Sequence, residues 1–279
     1  MSARDPSDGA RSVRDVAALP EEPEELGPLT SDAIAGSFRI TQRKYGHRYS
    51  IDDVLTAYVA AEAQPGAQRC LELGSGIGSV LLMLCYKLPH AAFVAVEAQR
   101  NSFRLLTDNV RQNGLEARVT TRYGDLRAEV TPALGQFELI TGTPPYVSPR
   151  HATPSSDAQR AFARQEWRGG VEDYVSAAAR VLAVRGRLVV CADARSPARV
   201  EQAALRSGLN ILRRIDVFPR AGRPALFSVF CLAWPAAAQE AAGVEAFVAR
   251  DAAGRRSEAY HALREYFGMA RPAQEPDSP

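Results

Sequence analysis

The stretch RCLELGSGIGSVLLMLCYKL, residues 69–88, decides the fold. RCLELG reads as a strand running into a turn. Glycines stand at 74, 76 and 78, and the apolar run over 79–88 has the length of a helix. Glycine allows a tight turn and the close approach of a ligand to the backbone. The helix that follows supplies free N–H groups. The spacing is GxGxG, not the GxGxxG of dinucleotide-binding turns, so the motif alone is a weak signal.

Outward from this turn the pattern repeats. AAFVAVE (91–97), ARVTTRYGD (117–125), FELITG (137–142) and GRLVVCAD (186–193) read as strands. SFRLLTDNVRQNG (102–114), VEDYVSAAARVL (171–182) and ARVEQAALRSG (198–208) read as the helices between and after them. Such alternation implies crossover connections and a parallel sheet. NILRRIDVFP (210–219) and ALFSVFCLAW (225–234) are joined by only RAGRP, too short for a helical crossover, so they are expected to pair antiparallel. Upstream, FRITQRKYGHRYS (38–50) reads as a short hairpin with Gly46 in its turn. IDDVLTAYVAAEAQ (51–64) carries Val54, Leu55, Tyr58 and Val59 on one helical face.

Composition bounds the function. The 279 residues are 46% hydrophobic and 24% charged, ordinary for a soluble globular protein. No apolar run approaches the ~20 residues of a membrane span. The polar, acidic N-terminus does not read as a signal peptide. Cys70, Cys85, Cys191 and Cys231 form no CxxC or CxxH pair, which argues against zinc. Cys70 and Cys191 read as buried thiols of a reducing compartment, and the expected location is the cytoplasm. His47, His90 and His261 lack partners at ligand spacing, so no metal site is expected. The net charge is +2, but residues 1–36 hold eight acids against three bases, leaving a basic body. Residues 1–36 and 270–279 are read as disordered tails around one domain at 37–269. That domain is divided into a hairpin and helix (37–62), a core (63–235) and a last strand and helix (244–269).

Three acids and one tip suggest a site. Glu97 ends the strand after the glycine turn, where a carboxylate can accept from both hydroxyls of a ribose. Asp125 ends the next strand and could hold an adenine amino group. Together with the turn they point to an adenosine-type ligand. Asp52, ahead of Val54 and Leu55, reads either as a helix N-cap or as a site residue. The fourth strand ends in TGTPPYVSP (141–149). Proline cannot continue a central strand, so Thr143, Pro144, Pro145 and Tyr146 form a stiff tip at the edge where α/β sheets bind ligands. Arg150, Arg160, Arg164 and Arg168 lie in a Pro- and Ser-rich stretch, read either as a solvated loop or as a lid meeting RNA phosphates.

On the TPPY tip, the glycine turn and the late antiparallel pair, the chain resembles the class I S-adenosylmethionine-dependent methyltransferases that carry an (Asn/Asp/Ser)-Pro-Pro-(Tyr/Phe/Trp) motif. QRKYGHRYSIDDVLTAYVA, ARQEWRGGVEDYVSAAARVLAVRGRLVV and VEAFVARDAAGRRSEAYHALREYFG make a closer resemblance, to the bacterial valine-tRNA (adenine-N6)-methyltransferase family, over most of 37–269. The resemblance implies a Rossmann-like α/β fold with a mostly parallel seven-stranded sheet and a C-terminal antiparallel β-hairpin. It also implies S-adenosylmethionine as cofactor, with Asp52, Glu72, Gly74, Gly76, Gly78, Glu97, Asp125 and Thr143 on the cofactor side. Thr143, Pro144, Pro145 and Tyr146 are then the catalytic tip, and the expected partner is nucleic acid, tRNA first. Thr143 stands where the family has Asn, and Gln165 where His is common. Glutamine-N5 methylation of a protein, and a catalytically weak module binding S-adenosylmethionine or RNA, remain alternatives.

Overall fold

The computed structural model describes residues 21–22, 24–147, 155, 157–237 and 243–270. An N-terminal hairpin, β1 (Leu29–Ala35) and β2 (Phe38–Arg43), leads into α1 (Ile51–Ala63). The alternation then runs β3 (Arg69–Leu73), α2 (Ser79–Lys87), β4 (Ala92–Glu97), α3 (Arg100–Gln112), β5 (Val119–Tyr123), α4 (Leu126–Glu129), β6 (Phe137–Gly142), α5 (Ala158–Arg164), α6 (Val171–Ala179), β7 (Leu182–Asp193) and α7 (Pro197–Ser207). It closes with β8 (Asn210–Phe218), β9 (Phe227–Ala233), β10 (Val244–Val248) and α8 (Glu258–Tyr266).

The large sheet has the order β10-β8-β9-β7-β6-β3-β4-β5. β7, β6, β3, β4 and β5 are parallel. β9 lies antiparallel to both β7 and β8, as the short link at 220–224 requires. The sheet has eight strands rather than the expected seven, because β10 adds parallel to β8. Strand alternation divides the core. Cys70, Leu139, Val189 and Cys231 point to the face covered by α1, α2 and α3. Their neighbours Leu71, Ile140, Val190 and Leu232 point to the face covered by α6 and α7. All four cysteines are free and buried.

The hairpin corrects two expectations. It lies at 29–43 with its turn at Gly36 and Ser37, not in 38–50 around Gly46. The ordered chain therefore begins inside the segment read as a tail. Residues 1–20 and 23, and the C-terminal tail beyond Ala270, lie outside the described residues. The physical reason is that β1 is attached through polar groups. Asp32 accepts from Thr30 Oγ1 (3.0 Å), Gln42 Nε2 (2.8 Å) and Arg48 Nη2 (3.0 Å). The bond from Gln42 leads in holding its carboxyl below the usual range. Likewise Arg160 and Arg164 lie in or at the end of a helix, α5, not in a continuous loop. Asp157 caps that helix, accepting from the Arg160 N–H at 3.0 Å.

β2 docks on α3 through side-chain amides. Fully buried Asn109 accepts from Thr41 N (2.7 Å) and donates to Thr41 O (3.0 Å) and Ile77 O (2.8 Å). One amide thus ties the hairpin to the glycine turn. Asn109→Ala would leave three backbone groups unpaired. The expected loss is about 3 kcal/mol, on the scale of one to three per orphaned group. Calorimetry should show the melting temperature falling by roughly 6–12 °C. An unchanged melting temperature would show that water replaces this amide at no cost.

Candidate active site

Register aligns the strand ends. Leu73 pairs with Val96 and with Gly142, and Gly142 pairs with Val190. The carboxyl ends of β4, β3, β6 and β7 therefore form one edge. The direction of the sheet's connectivity reverses between β3 and β6, which is where such folds bind ligands. A cleft of about 850 Å³, including space open to solvent, lies there.

The glycine turn forms its floor. A Cβ on Gly74 would stand 2.1 Å from the Tyr174 hydroxyl, and one on Gly142 would stand 2.6 Å from Tyr174 Cδ1. Both strand ends are therefore bare so that the Tyr174 ring of α6 can rest across them. Gly76 has nothing within 4 Å of a Cβ position and faces open space. Its N–H donates to Glu97 Oε2 at 2.7 Å, and the Gln99 N–H donates to Oε1 at 2.6 Å. Burial nonetheless pushes the Glu97 carboxyl up to about 7, against the opposing pull of those N–H groups and Arg168.

Gly74, Gly76, Glu97, Asp125, Thr143 and Pro145 all line the cleft. Asp125 caps α4 and grips Arg127 through both oxygens (2.9 and 2.6 Å). Arg127 holds its carboxyl below the usual range. Gly78 is the N-cap of α2 and does not reach the lining. Glu72 lies beneath the turn, 4% exposed, and its Oε2 has no hydrogen-bond partner among the described residues. Burial, then the charge of Asp53, holds it well above the usual carboxylate range.

Asp53, not Asp52, lines the cleft. It is the N3 residue of the Ser50 capping box, accepting from the Ser50 N–H at 3.0 Å. Its carboxyl also bonds the side chains of Ser79 and Thr143. Burial first, and Asp52 second, push it up to about 8. Asp52 accepts from the Ser50 hydroxyl; burial lowers the His47 imidazole against the charge of Asp52, and burial, then that same charge, raises the Tyr146 phenol. The motif Ser-x-x-Asp is the available sequence signal for this phase.

The tip stands between two spaces. Thr143 and Pro145 face the cleft. Pro144, Pro145 and Tyr146 line a smaller adjoining pocket of about 220 Å³ with Glu166, Asp193 and Arg199. Beyond the tip, the Val147 N–H donates to Arg164 O (3.0 Å) and Val147 O accepts from the Glu166 N–H (3.1 Å). Gln165, buried in this junction, accepts from Trp167 Nε1 at 3.0 Å. Tyr146 is half-buried, and burial raises its phenol above the ordinary value. His47, Ser79, Phe162 and Tyr174 also line the cleft, and none of them is a site residue in the sequence reading. Arg168 stacks its guanidinium 4.2 Å from the Phe162 centroid and approaches Glu22 at 3.8 Å. Among the described residues, no group of three His, Cys, Asp or Glu is placed to hold a metal. No helix there is long and apolar enough to cross a membrane.

Residues 51–209 match the sequence profile of the methyltransferase small domain family. A tRNA1(Val) (adenine(37)-N6)-methyltransferase of Porphyromonas gingivalis is 29% identical over 158 residues, 55% of this chain and 61% of that protein. A ribosomal protein uL3 glutamine methyltransferase of Bradyrhizobium diazoefficiens is 27% identical over 143 residues, 48% of this chain and 44% of that protein. The matched stretch thus spans less than two thirds of either relative. The crystal structure of a predicted O-methyltransferase from Agrobacterium tumefaciens shares the fold, with TM-score 0.55 and 16% identity over 79% of this chain and 98% of that one.

The raised Glu97 gives a pH test. A carboxyl whose folded value is raised from 4.5 to about 7 favours the fold fully below pH 4.5. That contribution is lost as pH rises toward 7, and amounts to about 3 kcal/mol at most. Asp53 and Glu72 act in the same direction. Urea unfolding of Glu97→Gln should therefore show a shallower fall in stability between about pH 4.5 and 7 than the wild type. Parallel curves for the two proteins would mean that Glu97 titrates in the folded protein as it does in the unfolded chain.

Proposed function

The chain belongs to the methyltransferase small domain family, and from that premise we propose that it methylates an exocyclic amine of nucleic acid, adenine N6 in tRNA first, using S-adenosylmethionine. The observation that carries this reading is the position of the TPPY tip, between the cleft lined by Glu97 and the glycine turn and the pocket that holds Tyr146. A tRNA substrate would place the protein in the cytoplasm.

The residues present fit the cofactor. Glu97 is buried, aimed into the cleft and keeps lone pairs beyond its two N–H bonds, so it can receive ribose hydroxyls. Gly76 leaves open space for a ligand against the turn. Asp125 reaches the same cleft at the end of β5. When bound, S-adenosylmethionine supplies an electrophilic methyl group on a sulfonium. The chain's own task is to make a poor nucleophile attack. The lone pair of an exocyclic amine is delocalised into its ring. Thr143 Oγ1 and the backbone carbonyl of Pro144 can accept the two N–H bonds and draw the nitrogen toward tetrahedral geometry. Tyr146 offers a face on which the base stacks. Holding and polarising the amine are then the main catalytic contributions. No strong base is needed before attack, because the methylated cation is itself acidic.

A second reading has a specific support: the glutamine methyltransferase relative acts on a ribosomal protein. A glutamine amide presents the same planar nitrogen with two N–H groups to the same acceptors.

Transfer of a labelled methyl group to bulk tRNA, and separately to ribosomal protein, tests both. Glu97→Ala should weaken cofactor binding by roughly 1.5–3 kcal/mol in calorimetry, the scale of a lost charged acceptor. Tyr146→Ala should lower turnover about 5- to 150-fold while cofactor affinity holds, from ~1–3 kcal/mol of lost stacking. Thr143→Asn should keep or raise tRNA methylation. Turnover indifferent to Tyr146→Ala would remove the tip from catalysis. Cofactor binding without turnover on either substrate would leave a binding module.

A further inference from the structure

A second cleft, of about 720 Å³, opens between the N-terminal hairpin, the first turn of α1 and α8. Its walls carry Arg48, Arg256 and Arg264 against one acid, Asp32. That acid is already engaged by Thr30, Gln42 and Arg48. Tyr49 and Tyr260 add two flat aromatic faces, with the Arg256 guanidinium 5.1 Å from the Tyr260 centroid.

We propose that this cleft is a second site for the RNA substrate, holding a backbone phosphate on Arg48, Arg256 and Arg264 with its nucleoside against Tyr49 or Tyr260. The inference rests on the RNA reading given above. Four observations carry it. The first is the surplus of guanidinium over carboxylate in a concave site, the arrangement that favours phosphate oxygens. The second is Arg264 Nε, which is buried and has no acceptor among the described residues. Its side chain also bonds the Tyr49 phenol and donates to Ala270 O at 3.4 Å. A buried N–H without an acceptor is rare, and a ligand oxygen would complete it.

The third is position. Tyr49 lines both this cleft and the one beside the TPPY tip. The first turn of α1 divides them, with Val54 facing this cleft and Asp53 the other. β8 and β10 run in the same direction as β6, so the 249–257 loop carrying Arg256 leaves the sheet at the same carboxyl edge as the tip. One RNA strand could therefore present a base to one cleft and a phosphate to the other. The fourth is that the walls are clamped together. The Gly36 N–H donates to Phe267 O at 2.8 Å, and the rings of Tyr58 on α1 and Tyr266 on α8 meet edge-on with centroids 4.9 Å apart. The site does not have to be assembled by its ligand.

The test uses the full chain and a fluorescein-labelled tRNA, with binding followed by anisotropy across a potassium chloride series. The double variant Arg256→Gln, Arg264→Gln should bind more weakly. The slope of log affinity against log salt should be shallower by about 0.7 to 1 for each phosphate that is no longer neutralised. Where turnover is measurable, KM for tRNA should rise about tenfold with kcat nearly unchanged, the pattern of weakened uniform binding. Affinity for S-adenosylmethionine should hold. If the double variant proves unstable, Arg256→Gln alone should still make the slope shallower by about 0.7 to 1, whereas Arg264→Lys, which keeps the charge, should hold it as the control. An unchanged salt slope and KM in folded variants that lose the charge would overturn the proposal. So would inorganic phosphate binding that depends on these arginines while the tRNA slope does not, since the site would then serve a free small anion. The binding arm needs no turnover. A chain that binds tRNA through these arginines without methylating it would sink the catalytic reading and leave this site standing.

Discussion

The Tyr174 ring lies where side chains on Gly74 and Gly142 would have to be. That single contact sets the geometry of the cleft. It fixes the end of β3, from which the glycine turn departs, against the end of β6, from which the tip departs. Both segments must leave the sheet at adjacent points if a cofactor on one is to meet an acceptor on the other. Because the ring comes from α6, the helix layer on one face also positions chemistry at the edge. The hairpin supplies a second constraint through Asn109, which bonds β2 and the turn at once. Turn, tip and hairpin are thus braced from opposite faces of the sheet.

Electrostatics at this edge are dominated by buried carboxyls. Glu72, Asp53 and Glu97 are all buried, and burial raises all three above their ordinary values. Glu72 is raised further by the charges of Asp53 and Glu97. Arg168 opposes the rise at Glu97. Such an arrangement costs stability when the acids ionise, and clusters of perturbed groups of this kind mark functional sites. A ligand that brings a sulfonium and an ammonium would stabilise the ionised acids. The same carboxyls that cost stability when ionised would then contribute to affinity.

The parallel core was legible because strand alternation writes two faces into adjacent letters. Cys70 and Leu71, or Val189 and Val190, each send one side chain to each layer. The glycine turn, Glu97, Asp125 and the tip were legible because each ends a strand, and strand ends of a parallel sheet converge. β1 was hidden because LTSDAIA attaches through Asp32 rather than through a continuous apolar face. The sequence reading points to Asp52 rather than Asp53, although the Ser50 capping box fixes which of the two acids turns inward. Tyr174 and His47 gave no local signal, since only the folded sheet brings them to Glu97 and Thr143. The second cleft was hidden for the same reason: Arg48 and Arg264 stand near opposite ends of the chain.

Thr143 becomes more intelligible beside Asp53. A threonine hydroxyl has one proton and two lone pairs. When Asp53 is ionised, that proton can go to the carboxylate, leaving the oxygen free to accept an N–H from an incoming amine. When Asp53 is protonated, as its rise to about 8 favours at neutral pH, the acid can donate to one lone pair of that oxygen and leave the other for the amine. A cation arriving in the cleft would favour ionisation of Asp53 and so leave both lone pairs of the Thr143 oxygen to accept. An asparagine at this position would present a carbonyl acceptor whatever the state of Asp53. On the proposed reading, Asp53 therefore orients the threonine hydroxyl, a task that an asparagine amide would not hand to it. The residue that departs from the motif then works as a pair with an acid that the motif does not contain.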